Sequence, residues 1–479
     1  MSVTINEISD YWQYPPRLEP VFTATDGLEF SDGRYVSSKE IWRFLTQDAP
    51  KRFPDAFNLY STGFIGSSSR VRGRFRRAID FSLFSGIKHN YLTLTLKDRI
   101  ETARKKGTPA ILVQGGQTVE PYYAAGGIPL RPAYVGTWAR SQVEGLSTRD
   151  SARRSHSFLE AGRRNLTSPD ACNQISSHSA VEEGIVPIDF VAPYLCLRCS
   201  DMAYLTETHR SGKIQVPTYL VDHPVPGQEK RPNKWRVDYL KEELKILTQK
   251  ISKLSGKEVT DEVLTAEIKR ENKARKLLRD CYNIWWSAKV PPTNSSDHSG
   301  IRALAIDGCG DYSAAINVLE ETRNELKQRV KDGVKGAGLK DDPVRLFTCG
   351  SCVGPNATLV DNVGGVIVGR DDFWSEAAVE VKEVGDPYEN LAEAILSFPY
   401  ELPTVERAEW IAEQAKKSRA DGVIFMYAWG CNYQTGVARM IADIVKQRTG
   451  LTTTAMETEL GQDSEQIENR IEAFIEILK

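Results

Sequence analysis

The sequence predicts an α/β protein of two doubly wound, Rossmann-like parallel-sheet domains joined by a helical hairpin. Three observations lead there. Apolar, β-branched runs bounded by turn residues recur along the chain, helical stretches separate them, and a Lys/Glu/Leu-rich segment of helical spacing divides them into two sets. At 479 residues the chain exceeds the size at which one hydrophobic core usually stops growing, so two cores are expected.

Residues 1–107 are expected to form an N-terminal segment packed on the first domain. That domain spans 108–230 and takes its strands from Pro109 to Val113, Ile188 to Ala192 and Val216 to Val221, the last closed by Asp222, His223 and Pro224. Between the first two lies 134–168, rich in Arg and Ser with little hydrophobic periodicity. It reads either as a long loop or as a lid or partner-docking segment.

Residues 231–300 make the hairpin and linker. Leu240, Leu244, Leu247, Ile251 and Leu254 follow three- and four-residue steps on one helix face, and Gly256 interrupts it. Thr260, followed by Asp261 and Glu262, caps a second helix whose inner face carries Leu264, Ile268, Leu277, Leu278 and Cys281. Pro291 to Gly300 then reads as a loop. The second domain, 301–479, takes strands from Val344 to Thr348, Gly365 to Val368, Gly422 to Tyr427 and Leu451 to Ala455, with helices from Val405 to Ser418 and Gln466 to Leu478.

A hydrophobic content of 41%, a charged content of 26% and a net charge of -2 argue against a nucleic-acid or anionic-lipid partner. Met1 to Pro16 lacks a basic region followed by an apolar one, and no run of about 18 apolar residues occurs, so a cytoplasmic, non-membrane protein is expected. No G-x-x-x-x-G-K-[ST] loop and no G-x-G-x-x-G after an expected strand is present, which leaves ATP and dinucleotides without a recognisable site.

Eight cysteines are too few and too scattered for a disulfide scaffold, but four of them form two C-x-x-C pairs, Cys196/Cys199 and Cys349/Cys352. These pairs and Cys431 all follow expected strands, at the edge where open α/β sheets bind ligands. Cys172 stands where a helix can begin, and a helix start favours the thiolate. The pairs lie much further apart than the roughly 15 to 20 residues of a zinc knuckle, and no ferredoxin run exists. A shared cluster between the two domains explains the common edge better than an isolated dithiol does. Glycines 350 and 354 and Gly430 allow close backbone approach to such a group. Cys281 fits a core position, whereas Cys309, in Asp307-Gly308-Cys309-Gly310, admits both readings. Glu120 and His178 are the candidate acid–base residues of this crevice, each with a structural reading beside it.

From about Thr108 onward the chain resembles the 2-hydroxyacyl-CoA dehydratase and benzoyl-CoA reductase family, and most closely its double-cubane cluster proteins. The likeness is carried by Glu120-Pro121-Tyr122-Tyr123-Ala124-Ala125-Gly126-Gly127-Ile128-Pro129, the Cys172 segment, the hairpin bend Leu254-Ser255-Gly256-Lys257, Gly364-Gly365-Val366-Ile367-Val368, Asp421-Gly422-Val423-Ile424 before Cys431, and the ending Gln466 to Leu478. Their order along the chain makes the match specific. The resemblance implies iron–sulfur chemistry. A single 4Fe-4S cubane would use Cys172, one member of Cys196/Cys199, and Cys431, as in a dehydratase or aryl-CoA reductase subunit. All six of Cys172, Cys196, Cys199, Cys349, Cys352 and Cys431 suit a double-cubane cluster instead. It further implies low-potential reduction of small unsaturated or nitrogenous substrates, a separate ATP-hydrolysing iron–sulfur activator, and a homodimer. A non-catalytic scaffold or electron-storage protein is the alternative from another class.

Overall fold

The structure is a computed structural model. It describes residues 26–49, 83–113, 118–130, 188–192, 215–224, 231–350, 354–371, 377–428, 431–458 and 465–479, with short pieces at 70–71, 74–75, 207 and 209–212.

Strands β1 (Gly27–Glu29) and β2 (Tyr35–Ser37) form a small antiparallel ribbon ahead of helix α1 (Phe84–Lys105). The first parallel sheet comprises β3 (Ala110–Val113), β4 (Ile128–Leu130) and β5 (Phe190–Ala192) in the order β4–β3–β5, with the short helix α2 (Glu120–Ala124) between β3 and β4. All four residues of β3 are buried, as expected of a central strand covered on both faces. In place of the strand expected at Val216 to Val221, the described residues show isolated bridge positions at Thr218 and Val221, Thr218 pairing in parallel with Val191. Pro217 lacks an amide hydrogen, and around Thr218 the pairing is carried by Val191 N–H on Pro217 O and Tyr219 N–H on Val191 O, each 2.9 Å.

The hairpin forms as its sequence dictates. Helix α3 (Lys234–Ser255) ends at Gly256, whose φ of 72° is the left-handed cap glycine adopts readily, and Thr260 accepts the Val263 amide at the start of α4 (Asp261–Ser287). Leu240, Leu244, Leu247 and Ile251 are buried against the first sheet's core, as are Leu264, Ile268, Leu278 and Cys281. The loop expected at Pro291 to Gly300 is shorter. Asn294 takes the Ser296 and Asp297 amides at 3.1 and 2.9 Å and so starts helix α5 (Ser295–Asp307) early.

Helix α6 (Tyr312–Lys331) follows, and Ile301, Leu304, Val318, Leu319 and Leu326 share one core with the first sheet and the hairpin. The N-terminal segment docks here. Glu325 accepts the Phe84 and Ser85 amides that open α1, at 3.0 and 3.1 Å, and Asp311 accepts the Ser31 amide.

The second sheet contains β6 (Val344–Cys349), β7 (Gly365–Arg370), β8 (Gly422–Ala428) and β9 (Thr452–Thr458), all parallel, in the order β9–β8–β6–β7. The helices around it are α7 (Ala357–Val363), α9 (Thr404–Lys417), α10 (Asn432–Thr449) and α11 (Glu465–Leu478), whereas α8 (Pro387–Ile395) packs Leu391, Ala392 and Ile395 into the core shared with the hairpin. Side chains alternate across the sheet with the two-residue period of a strand. Leu346, Ile367 and Ile424 meet α7 and α11 on one face, whereas Phe347, Val366, Val423 and Phe425 meet α9 and α10 on the other. The sheet is therefore wound on both faces. Where the β6–β7 register shifts, Trp286 Nε1 of the hairpin donates to Val368 O at 2.8 Å and Ser295 Oγ accepts the Ile367 amide at 2.8 Å. Among the described residues no helix is long and apolar enough to cross a membrane.

Candidate functional site

The chain builds β6, then places β7 on one side of it and β8 on the other, so strand order reverses between β6 and β8. Connections leave that point in opposite directions and open a crevice beyond the carboxyl ends, where such sheets bind ligands. Cys349 is the last residue of β6 and pairs in register with Phe425 of β8. Cys431 lies three residues beyond the end of β8 and is the residue before α10, its amide donating to Ala428 O at 3.0 Å. Two cysteines thus stand at the switch point, one buried and one half-buried.

Gly350 explains how the backbone turns there. Its φ is 113°, and a Cβ would fall 1.7 Å from Met426 O of the neighbouring strand. No side chain fits, and the chain crosses β8 at backbone contact distance. Gly354 is less confined, since a Cβ would meet the Arg370 guanidinium at 2.6 Å, the far end of a side chain that can move.

Beneath this edge lies a buried polar group that nothing in the cysteine spacing foretells. Asp371, immediately after β7, accepts the Gly350 amide through Oδ1 at 2.8 Å. Its Oδ2 receives Arg407 Nε at 3.0 Å, and both side chains are fully buried. Arg407 also donates to the Tyr433 hydroxyl at 3.2 Å and lies 4.3 Å from the centre of the Tyr400 ring. Burial alone would disfavour the guanidinium's charge, but Asp371 and the two tyrosines hold its pKa above the usual arginine value. A signal for this group did exist. Arg407 sits four residues before Ile411 on the stripe that carries Ala408, Ile411, Ala412 and Ala415, and a charge on an apolar stripe needs a partner.

The remaining candidates divide. Cys172, His178, Cys196, Cys199 and Cys352 lie outside the described residues, as does the 134–168 segment. Glu120 opens α2 with no exposure to solvent and pairs with Arg275 of α4 at 2.7 Å. Arg275 also meets Glu271 at 3.2 Å, and burial beside Glu120 pushes the Glu271 carboxyl well above its ordinary pKa. Cys281 is in the hairpin core, where burial pushes its thiol up to about 12, a poor state for a ligand. Cys309 is buried in the same core with φ 47°, its carbonyl accepting Arg99 at 2.8 Å.

The match to the family described as 2-hydroxyglutaryl-CoA dehydratase, D-component, covers residues 117–478. The chain belongs to that family. This bears out the resemblance to 2-hydroxyacyl-CoA dehydratases and benzoyl-CoA reductases. Among curated relatives, a benzoyl-CoA reductase subunit of Thauera aromatica is 29% identical over 233 residues, covering 44% of this chain and 56% of that protein. The (R)-phenyllactyl-CoA dehydratase beta subunit of Clostridium sporogenes is 26% identical over 266 residues, covering 53% and 67%. A protein of Escherichia coli strain K12 named as a dehydratase subunit, YjiM, is 24% identical over 285 residues, covering 57% and 73%. The match begins beyond the ribbon and α1, so the N-terminal segment stands outside it.

Proposed function

We propose that this family member is an iron–sulfur reductase whose cluster is held by Cys172, Cys196, Cys199, Cys349, Cys352 and Cys431. The observation that carries the reading is the position of Cys349 at the end of β6 and of Cys431 in the turn from β8 to α10, on the two strands that flank the switch point. The donor set fits such a group: thiols supply the soft ligands iron–sulfur clusters require, and glycine at 350 leaves no side chain beside Cys349. When bound, a double cubane supplies electrons at low potential to a small unsaturated or nitrogenous substrate.

The chain's own residues then have separable roles. The cysteines bind, Gly350 sets the path of the backbone, and Glu120 and His178 are the acid–base candidates, with Arg275 holding Glu120 in place. The two parallel sheets are read as two domains that face each other across the cluster. Because the sequence has no phosphate loop, electrons are expected from an ATP-hydrolysing activator, acting on a homodimer in the cytoplasm. The second reading is a dehydratase or aryl-CoA reductase subunit with a single cubane on Cys172, one of Cys196/Cys199, and Cys431. The relatives' own names favour keeping it.

Iron and acid-labile sulfide, measured on anaerobically prepared protein, separate the readings. About eight irons per chain support the double cubane and about four the single one. Cys431→Ala is expected to lose much of the iron and Cys281→Ala to keep all of it. Equal iron in the two variants would reject the assignment.

A further inference from the structure

Cys349 ends one strand and Cys431 lies beyond the end of another, and the ladder between those strands ends at Cys349 and stops short of Cys431: the last β6–β8 register pair is Cys349 with Phe425. Beyond it, another connection must set how far apart the two thiols stand. The described residues contain one. Gly350, next to Cys349, donates its amide to Asp371. Asp371 takes Arg407 on its other oxygen, and Arg407 reaches the hydroxyl of Tyr433, two residues after Cys431. At its other end Asp371 donates its own amide to Thr348 O at 3.1 Å, one residue before Cys349. Tyr400 lies on the guanidinium face, and its hydroxyl accepts Gln434 Nε2 at 2.5 Å, which ties the first turn of α10 to the same group.

We propose that Asp371, Arg407 and Tyr433 form a buried brace that fixes the Cys349 strand end against the Cys431 helix start and so positions both thiols for one bound group. The inference rests on the cluster reading only for what the thiols hold. Three features favour a positioning role over a purely electrostatic one. The guanidinium is neutralised at contact by Asp371, so the pair adds little net field at the edge. Arginine's planar fork bonds to Asp371 and Tyr433 in two directions at once, which a point-like ammonium does not reproduce. Finally, burying an ion pair carries a large desolvation cost that an apolar pair of similar volume avoids, so a directional use accounts for its retention.

The test uses the full chain, first without cluster. Amide exchange followed by mass spectrometry reads Gly350 on one side and residues 432–434 on the other. Tyr433→Phe removes one hydroxyl from the Cys431 side and is expected to speed Gly350 exchange about fivefold, the effect of one lost hydrogen bond. Arg407→Lys is expected to speed it more, and if that variant does not fold, Tyr433→Phe alone decides. In reconstituted protein the same order should appear in iron release to a chelator. Unchanged Gly350 exchange in folded Tyr433→Phe overturns the brace whatever the iron does. Faster exchange in a chain whose wild type takes up no iron rejects the cluster reading and leaves the brace supported.

Discussion

At the scale of single residues, Gly350 decides whether the edge can exist. A methyl group there meets a backbone oxygen that cannot swing aside, and a φ of 113° is unfavourable for any L side chain. Gly350→Ala is therefore expected to cost at least about 2 kcal/mol, read by urea unfolding of the cluster-free chain, and to lower iron uptake as β6 and β8 part. Wild-type stability and iron in that variant would show that the crossing tolerates a side chain. The places of Cys349 and Cys431 at the ends of β6 and β8 were legible because a preceding β-branched run is a local signal. Asp371 and Tyr433 were not. Each is an ordinary polar residue at an element end, and only the parallel pairing of strands far apart in sequence brings them to Arg407.

Among elements, the hairpin was the most readable, since leucine spacing, Gly256 and Thr260 are all local. The first sheet was read less well because its strands are three or four residues long and β4 contains a proline. The contact of α2 with α4 could not be read at all: Glu120 and Glu271 are far apart in sequence, yet they share Arg275 and stand beside each other. That contact sets two carboxyls against one buried guanidinium. Glu271 carries a raised pKa in the folded chain, so the native state binds more protons than the unfolded state above pH 4.5. Stability contributed by its protonated form is present at low pH and falls as pH rises toward the raised value. Glu271→Gln keeps the shape without the charge, and Glu120 still pairs with Arg275. Thermal unfolding is expected to show the variant gaining on wild type as pH increases from 4.5 to 8. A stability difference between variant and wild type that is constant with pH, or that shifts in favour of wild type, argues against the shared-charge account.

Across the whole molecule, histidines held neutral by burial link stability to acid: His89, lowered to about 4, His223 and His298. His298 of α5 lies between the hairpin and the second sheet, 4.0 Å from Trp285 and 4.9 Å from Tyr282 between ring centres. Neither ring nitrogen has a hydrogen-bond partner among the described residues. Burial, with Arg302 and Arg370 nearby, holds His298 well below the ordinary histidine range, and burial with Arg236 lowers His223 to about 4. Both are neutral in the folded chain and protonate near 6.5 when it unfolds. Their contribution is complete above pH 6.5 and is lost as pH falls, because the unfolded state then binds more protons. For His223 the loss amounts to about 3 kcal/mol by pH 4. His298→Phe preserves the aromatic packing and removes one of these titrations, so its stability should decline less steeply than wild type between pH 6.5 and 4. The measurement is urea unfolding of cluster-free protein at several pH values, which keeps iron loss from contributing to the slope. Parallel declines in the two proteins would place the acid sensitivity elsewhere, and a flatter one in His298→Phe would assign part of it to the junction where hairpin and second sheet meet.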